Sequence, residues 1–159
     1  MKRFLDIIRF TFVSPEFVLI LAGVVLLYVY PLPLSIVGEK ISSSDEVWKW
    51  LPTFPLLFSG LVFKLSSKVR APFDKGNRQL YEWYNFSRIT DRIFAAYILV
   101  CVSVISVISV WLFTEKFTSA VIGYIFLSSV GVSGFVALQV FLASQKIREI
   151  LEQYGDQLL

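Results

Sequence analysis

Residues 93–113 and 117–143 form two apolar runs separated only by Thr114, Glu115 and Lys116. Neither run carries a charged side chain, and each is long enough to cross a hydrocarbon layer about 30 Å thick as an α-helix, which takes ~20 residues. A chain of 159 residues cannot bury two helices that are apolar all round inside a soluble domain. The hairpin is therefore read as two membrane spans. Since backbone polar groups in lipid must be satisfied internally, the fold class expected is all-α: an integral membrane four-helix bundle with an N-terminal interfacial helix and cytoplasmic extensions of the last two helices.

The rest of the chain fits one membrane domain. Residues 1–13 place Phe4, Leu5, Ile8 and Phe12 against Lys2, Arg3, Asp6 and Arg9, the rhythm of a helix lying on a membrane surface; a frayed charged tail is the other reading. Ser14, Pro15 and Glu16 supply an N-cap, a first-position proline and a charge suited to the positive helix end. They open a first span over about 15–37, with a break or kink expected near Pro31. Tyr28 and Tyr30 suit an aromatic belt at the far interface. A polar connection over 38–44 leads to Asp45, Glu46, Trp48 and Trp50, read as a short interfacial helix. Residues 50–66 form a second span, short and interrupted by Pro52 and Pro55, for which a re-entrant loop is the competitor. The third and fourth spans cover 93–113 and 117–143. Arg78 to Arg92 is read as a helix running into the third span, and 144–155 as a charged continuation of the fourth that stops at Gly155.

Charge supports four crossings. With both termini and the 66–92 connection on one side, that side holds 12 of the 15 Lys and Arg residues, leaving Lys40, Lys49 and Lys116 opposite. This is the arrangement the positive-inside rule requires. The expected location is the bacterial inner membrane, multi-pass, with N- and C-termini cytoplasmic.

The 66–92 connection interleaves Lys68, Arg70, Lys75, Arg78, Arg88 and Arg92 with Phe73, Tyr81, Trp83, Tyr84 and Phe86. Such a mixture suits lipid headgroups, since the flanking spans hold it at the membrane surface. It can also bind single strands, but a net charge of +3 is modest and direct nucleic-acid binding is not expected. The candidate surface for a cytoplasmic partner or for headgroups is Arg78, Tyr81, Trp83, Tyr84, Arg88 and Arg92, joined by Lys146 and Arg148 on the last helix.

Chemistry is largely excluded. There is no histidine and one cysteine, so His/Cys metal sites and Ser-His-Asp catalysis are ruled out. Asp45/Glu46 and Glu149/Glu152 fit helix ends and solvated faces. Neither an enzyme nor a cofactor is expected. Cys101, inside an apolar helix, reads as packing. Small residues recur in the hairpin instead: Ser103, Ser106 and Ser109 in one arm, and Ser129, Ser133 and Ala137 beside Gly123, Gly131 and Gly134 in the other. They predict close helix packing, or a polar pore lining in an oligomer. Gln139 is a candidate interhelical hydrogen-bond donor.

Over its whole length, as a pattern of hydropathy, the layout resembles the small membrane subunits of bacterial phage-defence and phage-exclusion systems, the Kiwa membrane subunit type among them. It also resembles immunity proteins against pore-forming colicins. The resemblance implies a defence setting. The expectation is a non-enzymatic, homo-oligomeric inner-membrane protein that senses membrane disturbance or anchors a cytoplasmic effector, as a scaffold. The alternatives are a small ion channel and an immunity protein against a pore-forming toxin.

Overall fold

A computed structural model of the chain describes residues 9, 11, 13–70 and 86–155. Among them the order is α1 (Pro15–Val29), α2 (Pro31–Ser43), α3 (Asp45–Trp50), α4 (Thr53–Arg70), α5 (Phe86–Leu112), a 3-10 turn (Thr114–Lys116) and α6 (Ser119–Gly155), with no strand among the described residues. The chain is all-α, as expected. Within α5 and α6, Ser87–Leu112 and Ser119–Glu149 are long and apolar enough to cross a membrane, and α1 with α2 supplies a third such segment, bent by 99°.

Local chemistry explains the boundaries. The Ser14 hydroxyl accepts from the Phe17 amide at 3.2 Å and caps α1, with Pro15 in the first turn. The helix ends at Tyr30, whose amide still reaches the Leu26 carbonyl at 2.8 Å. Pro31 then drives Tyr30 out of the helical region, to φ −136° and ψ 72°. Because Pro31 and Pro33 lack amides only in the first turn of α2, where amides have no intrahelical partner, the chain restarts as a helix at once. The break expected near Pro31 is thus a sharp bend between two helices. Ser44 caps α3 by accepting from the Val47 amide at 3.4 Å.

Two sequence expectations shift here. The 38–44 stretch, read as a polar connection, is helical as far as Ser43. Its partner is α6, and tertiary packing overrides the loop-like composition. The second expected span, 50–66, is a helix over Thr53–Arg70, but it is not among the segments apolar enough to cross a membrane. Lys64, Ser66, Ser67, Lys68 and Arg70 lower its hydropathy. The interfacial helix expected over 1–13, and most of the 66–92 connection, lie outside the described residues.

The last helix is the hub: α1, α2, α4 and α5 each pack against α6. Three apolar clusters follow its length. At one end Ile122 meets Ile41, Leu51, Val107 and Val110. In the middle Val132, Val136, Ala137 and Val140 meet Val62, Leu99 and Val100, with Ile20 and Phe58 against them. At the other end Ile147 meets Val69 and Ile93. From Ile122 to Ile147 the axis runs about 37 Å, so these clusters stack into one elongated core.

Outside that core the protein is inverted relative to a soluble domain. Val18, Val25 and Val29 on α1, Leu57 and Leu61 on α4, Ile98, Val102 and Ile105 on α5, and Leu138 and Leu142 on α6 are all exposed. An apolar belt of this kind is stable against lipid and costly against water. Cys101, expected to be packed, lies on this outward face. Glu16, in the first turn of α1 as expected, is buried at 4 % exposure, and its Oε2 has no hydrogen-bond partner among the described residues.

Candidate functional site at the charged end of the α5–α6 hairpin

Among the described residues, exposed charged side chains of α2 to α6 gather at the two ends of the belt. Glu39, Lys40, Glu46, Lys49, Glu115 and Lys116 are exposed at one end, and Lys64, Arg88, Arg92, Lys146, Arg148 and Glu149 at the other. Along α5 the apolar stretch between Arg92 and Leu112 is about 30 Å long, close to the thickness of a bilayer's hydrocarbon core.

At the second end the antiparallel α5 and α6 bring Arg92 and Gln139 together, 47 positions apart in sequence. Arg92 Nη2 donates to Gln139 Oε1 at 3.2 Å. Gln139 therefore enters as an acceptor, not as the donor its isolated position in an apolar run suggested. Under this pair lies a cleft of about 110 Å³, walled by Ile89, Ile93 and Ala96 of α5, Val136, Val140 and Ala143 of α6, and Val69 of α4. Alanines 96 and 143 form the groove, because larger side chains there would fill it. The floor is apolar: Val69 and Val136 are each 1 % exposed.

Of the other residues expected at a partner or headgroup surface, Arg88, Lys146 and Arg148 are exposed at this same end. Lys146 pairs with Glu149 at 3.0 Å, an exposed i,i+3 contact worth about 0.3 kcal/mol. Ile147, on the opposite face, packs onto Val69 and Ile93. Arg78, Tyr81, Trp83 and Tyr84 lie outside the described residues.

The serines of the hairpin separate into two groups. Ser103, Ser129 and Ser133 are buried, whereas Ser106 and Ser109 are half-buried on the outer flank. Their hydroxyls turn back onto their own helices: Ser103 donates to Leu99 O at 2.9 Å, Ser106 to Val102 O and Ser109 to Ile105 O at 2.8 Å, and Ser133 to Ser129 O at 2.6 Å. Back-bonded serine behaves as a small, satisfied side chain. Gly134 sits against the Phe58 ring, with ordinary contact distance to spare for a methyl group.

Close backbone approach occurs elsewhere, between α2 and α6. A Cβ added to Gly38 would lie 1.8 Å from the Ser119 carbonyl oxygen, and one added to Gly123 would lie 2.1 Å from that of Leu34. Gly123 was legible as a small residue in a span. Gly38 was not, because it opens a stretch that reads as a loop.

Two interhelical polar contacts escaped sequence reasoning: the Tyr124 hydroxyl of α6 donates to the Ile20 carbonyl of α1 at 3.2 Å, and a second joins α4 to α5. The Ser66 hydroxyl of α4 hydrogen-bonds the Tyr97 hydroxyl of α5. Ser66 is fully buried, and the Tyr97 ring stacks on Phe63 with centroids 4.7 Å apart. Nothing in the spacing of either residue signals its partner. Among the described residues no group of His, Cys, Asp and Glu is placed to hold a metal ion. Comparison with protein-family models, curated proteins and solved structures returned no match.

Proposed function

We propose that this chain is a non-enzymatic, homo-oligomeric inner-membrane protein that anchors a cytoplasmic partner, or registers disturbance of the bilayer, through the charged end of the α5–α6 hairpin and the connection before it. The observation that carries this reading is the segregation of surface: an apolar belt about as tall as a bilayer, ending in exposed Arg88, Arg92, Lys146 and Arg148. An anti-phage defence setting follows only from resemblance of layout.

The topology proposed has four crossings with both termini cytoplasmic. In support, α4 accompanies α6 from one end of the belt to the other. The Phe54 and Phe126 rings meet edge-on at 6.3 Å, Phe58 lies against Gly134, and Val69 packs on Ile147. The exposed Phe54, Leu56, Leu57, Leu61 and Phe63 of α4 suit lipid, and Lys64 can snorkel to the headgroups. The outward faces open to a second copy are apolar in the same way.

The test is affinity purification of tagged full-length protein from cross-linked cells, paired with ion flux into liposomes. Electrically silent vesicles, and a soluble protein retained by the wild type and lost with Arg148→Glu, are the expected result. Ion conductance altered by Ser106→Leu, with no protein retained, would replace this reading with the channel. Protection of cells against one pore-forming toxin would replace it with the immunity protein.

A further inference from the structure

We infer that the cleft beneath Arg92 and Gln139 is a binding site for one anionic glycerophospholipid, its phosphate at the Arg92 guanidinium and the upper part of one acyl chain in the groove between α5 and α6. The inference requires only that the apolar belt lie in a bilayer; it is independent of whether a protein partner exists.

The position of the cleft selects this occupant. It straddles the boundary between belt and charged rim. On α5, exposed Phe94 and Ile98 lie on the belt side of Arg92, and exposed Arg88 lies one turn beyond it. On α6, exposed Leu138, Phe141 and Leu142 give way to Gln145 and Lys146. A molecule seated here must be apolar at one end and polar at the other, as a phospholipid at this boundary is.

The chemistry of the mouth narrows the choice further. Arg92 is exposed, and its 3.2 Å contact is to a neutral amide oxygen, which orients the guanidinium without cancelling its charge. Arginine matches phosphate geometry through a planar fork of donors, and basic pockets between helices at the cytoplasmic membrane face favour anionic headgroups. The walls, Ile93, Val136 and Val140 with Ala96 and Ala143, offer aliphatic contact only. At about 110 Å³ the space is comparable to the engineered apolar cavities of roughly 150 Å³ that stay dry and take up benzene. Water filling it would find few polar partners, whereas a few methylenes of an acyl chain need none.

Full-length protein reconstituted in nanodiscs with equal parts phosphatidylglycerol and phosphatidylcholine, then released in native mass spectrometry, tests this. Retained phosphatidylglycerol adducts are expected, with phosphatidylcholine adducts rare. Arg92→Gln should lower phosphatidylglycerol retention about fivefold, the equivalent of the roughly 1 kcal/mol one basic side chain contributes at an anionic surface, and Arg92→Lys should restore most of it. Filling the mouth with Ala143→Leu should reduce adducts of both lipids while the helical circular dichroism is unchanged; Ala96→Leu is the second filling variant. Lys40→Gln, exposed at the opposite end of the belt, should leave retention as in the wild type. Equal retention of the two lipids, or an Arg92→Gln loss no greater than that of Lys40→Gln, overturns the site. So does undiminished retention when both filling variants remain folded.

Discussion

Gly38 and Gly123 face each other across the contact between α2 and α6, so close that each occupies space a Cβ would need: Gly38 beside the carbonyl of Ser119, Gly123 beside that of Leu34. This reciprocal approach seats the second half of the bent segment on the last helix. Its energy comes from dispersion between backbones, available only where both residues lack side chains. Either Gly38→Ala or Gly123→Ala must push the helices apart, since the obstructing atoms are backbone. Each is expected to cost about 3 kcal/mol, at the upper end of overpacking penalties. Unfolding titrations in mixed micelles check this; a loss under 1 kcal/mol would show that the helices can separate freely.

Gly60 and Gly131 make the complementary case, because a Cβ on either meets nothing within 4 Å. Both lie inside helices, where glycine is less favourable than alanine by ~0.8–1 kcal/mol. Gly60→Ala and Gly131→Ala should therefore leave stability unchanged or raise it by up to ~1 kcal/mol. The same titrations measure it, and a marked loss at either position would reveal a neighbour such as a second copy of the chain.

Tyr97→Phe removes the hydroxyl that Ser66 meets while preserving the stack on Phe63. Ser66 keeps its bond to the Phe63 carbonyl at 3.0 Å, so no buried group is orphaned. The cost should be about 0.6 kcal/mol, the average for a hydrogen bond between membrane helices. Tyr97→Ala, which also loses the ring, should cost about 3 kcal/mol. A double-mutant cycle with Ser66→Ala isolates the pair, and a coupling of zero would dissolve it.

Orientation has a direct probe. Ser43 and Ser67 are both exposed, and four crossings put them on opposite sides. With Cys101 replaced by serine, a membrane-impermeant thiol reagent added to intact cells is expected to label Ser43→Cys and spare Ser67→Cys. The reverse pattern would invert the protein, and equal labelling of both would make α4 a re-entrant element. Ser66, one residue away, is unsuitable because it is fully buried.

How much of this was legible beforehand varies with the distance over which the cause acts. The hairpin, the bend at Tyr30, the Ser14 and Ser44 caps and the charge asymmetry are written in neighbouring residues, and all are readable. Gly38, Glu39 and Lys40 looked like a connection because composition reports what a segment exposes, whereas α2 is held by what Gly38 leaves out. Arg92 and Gln139 were each noticed, but nothing in the order of residues states that they meet. Ser66 with Tyr97 was invisible for the same reason. The serine repeats promised helix seams, and Ser103, Ser129 and Ser133 are indeed buried; the hydroxyls of Ser103 and Ser133 are spent within their own helices, and close backbone contact falls to glycines on another pair of helices.

Because α6 is the surface on which α1, α2, α4 and α5 all assemble, and because it is made after each of them, the order of synthesis opposes the order of packing. The earlier helices are made before their common partner exists. Gly38 must wait for Gly123, and Val62 for Val136. Among the long helices α4 and α5 can meet without it, through Ser66 and Phe63 against Tyr97, so a chain lacking α6 would keep that pair and lose the surface that seats α1 and α2.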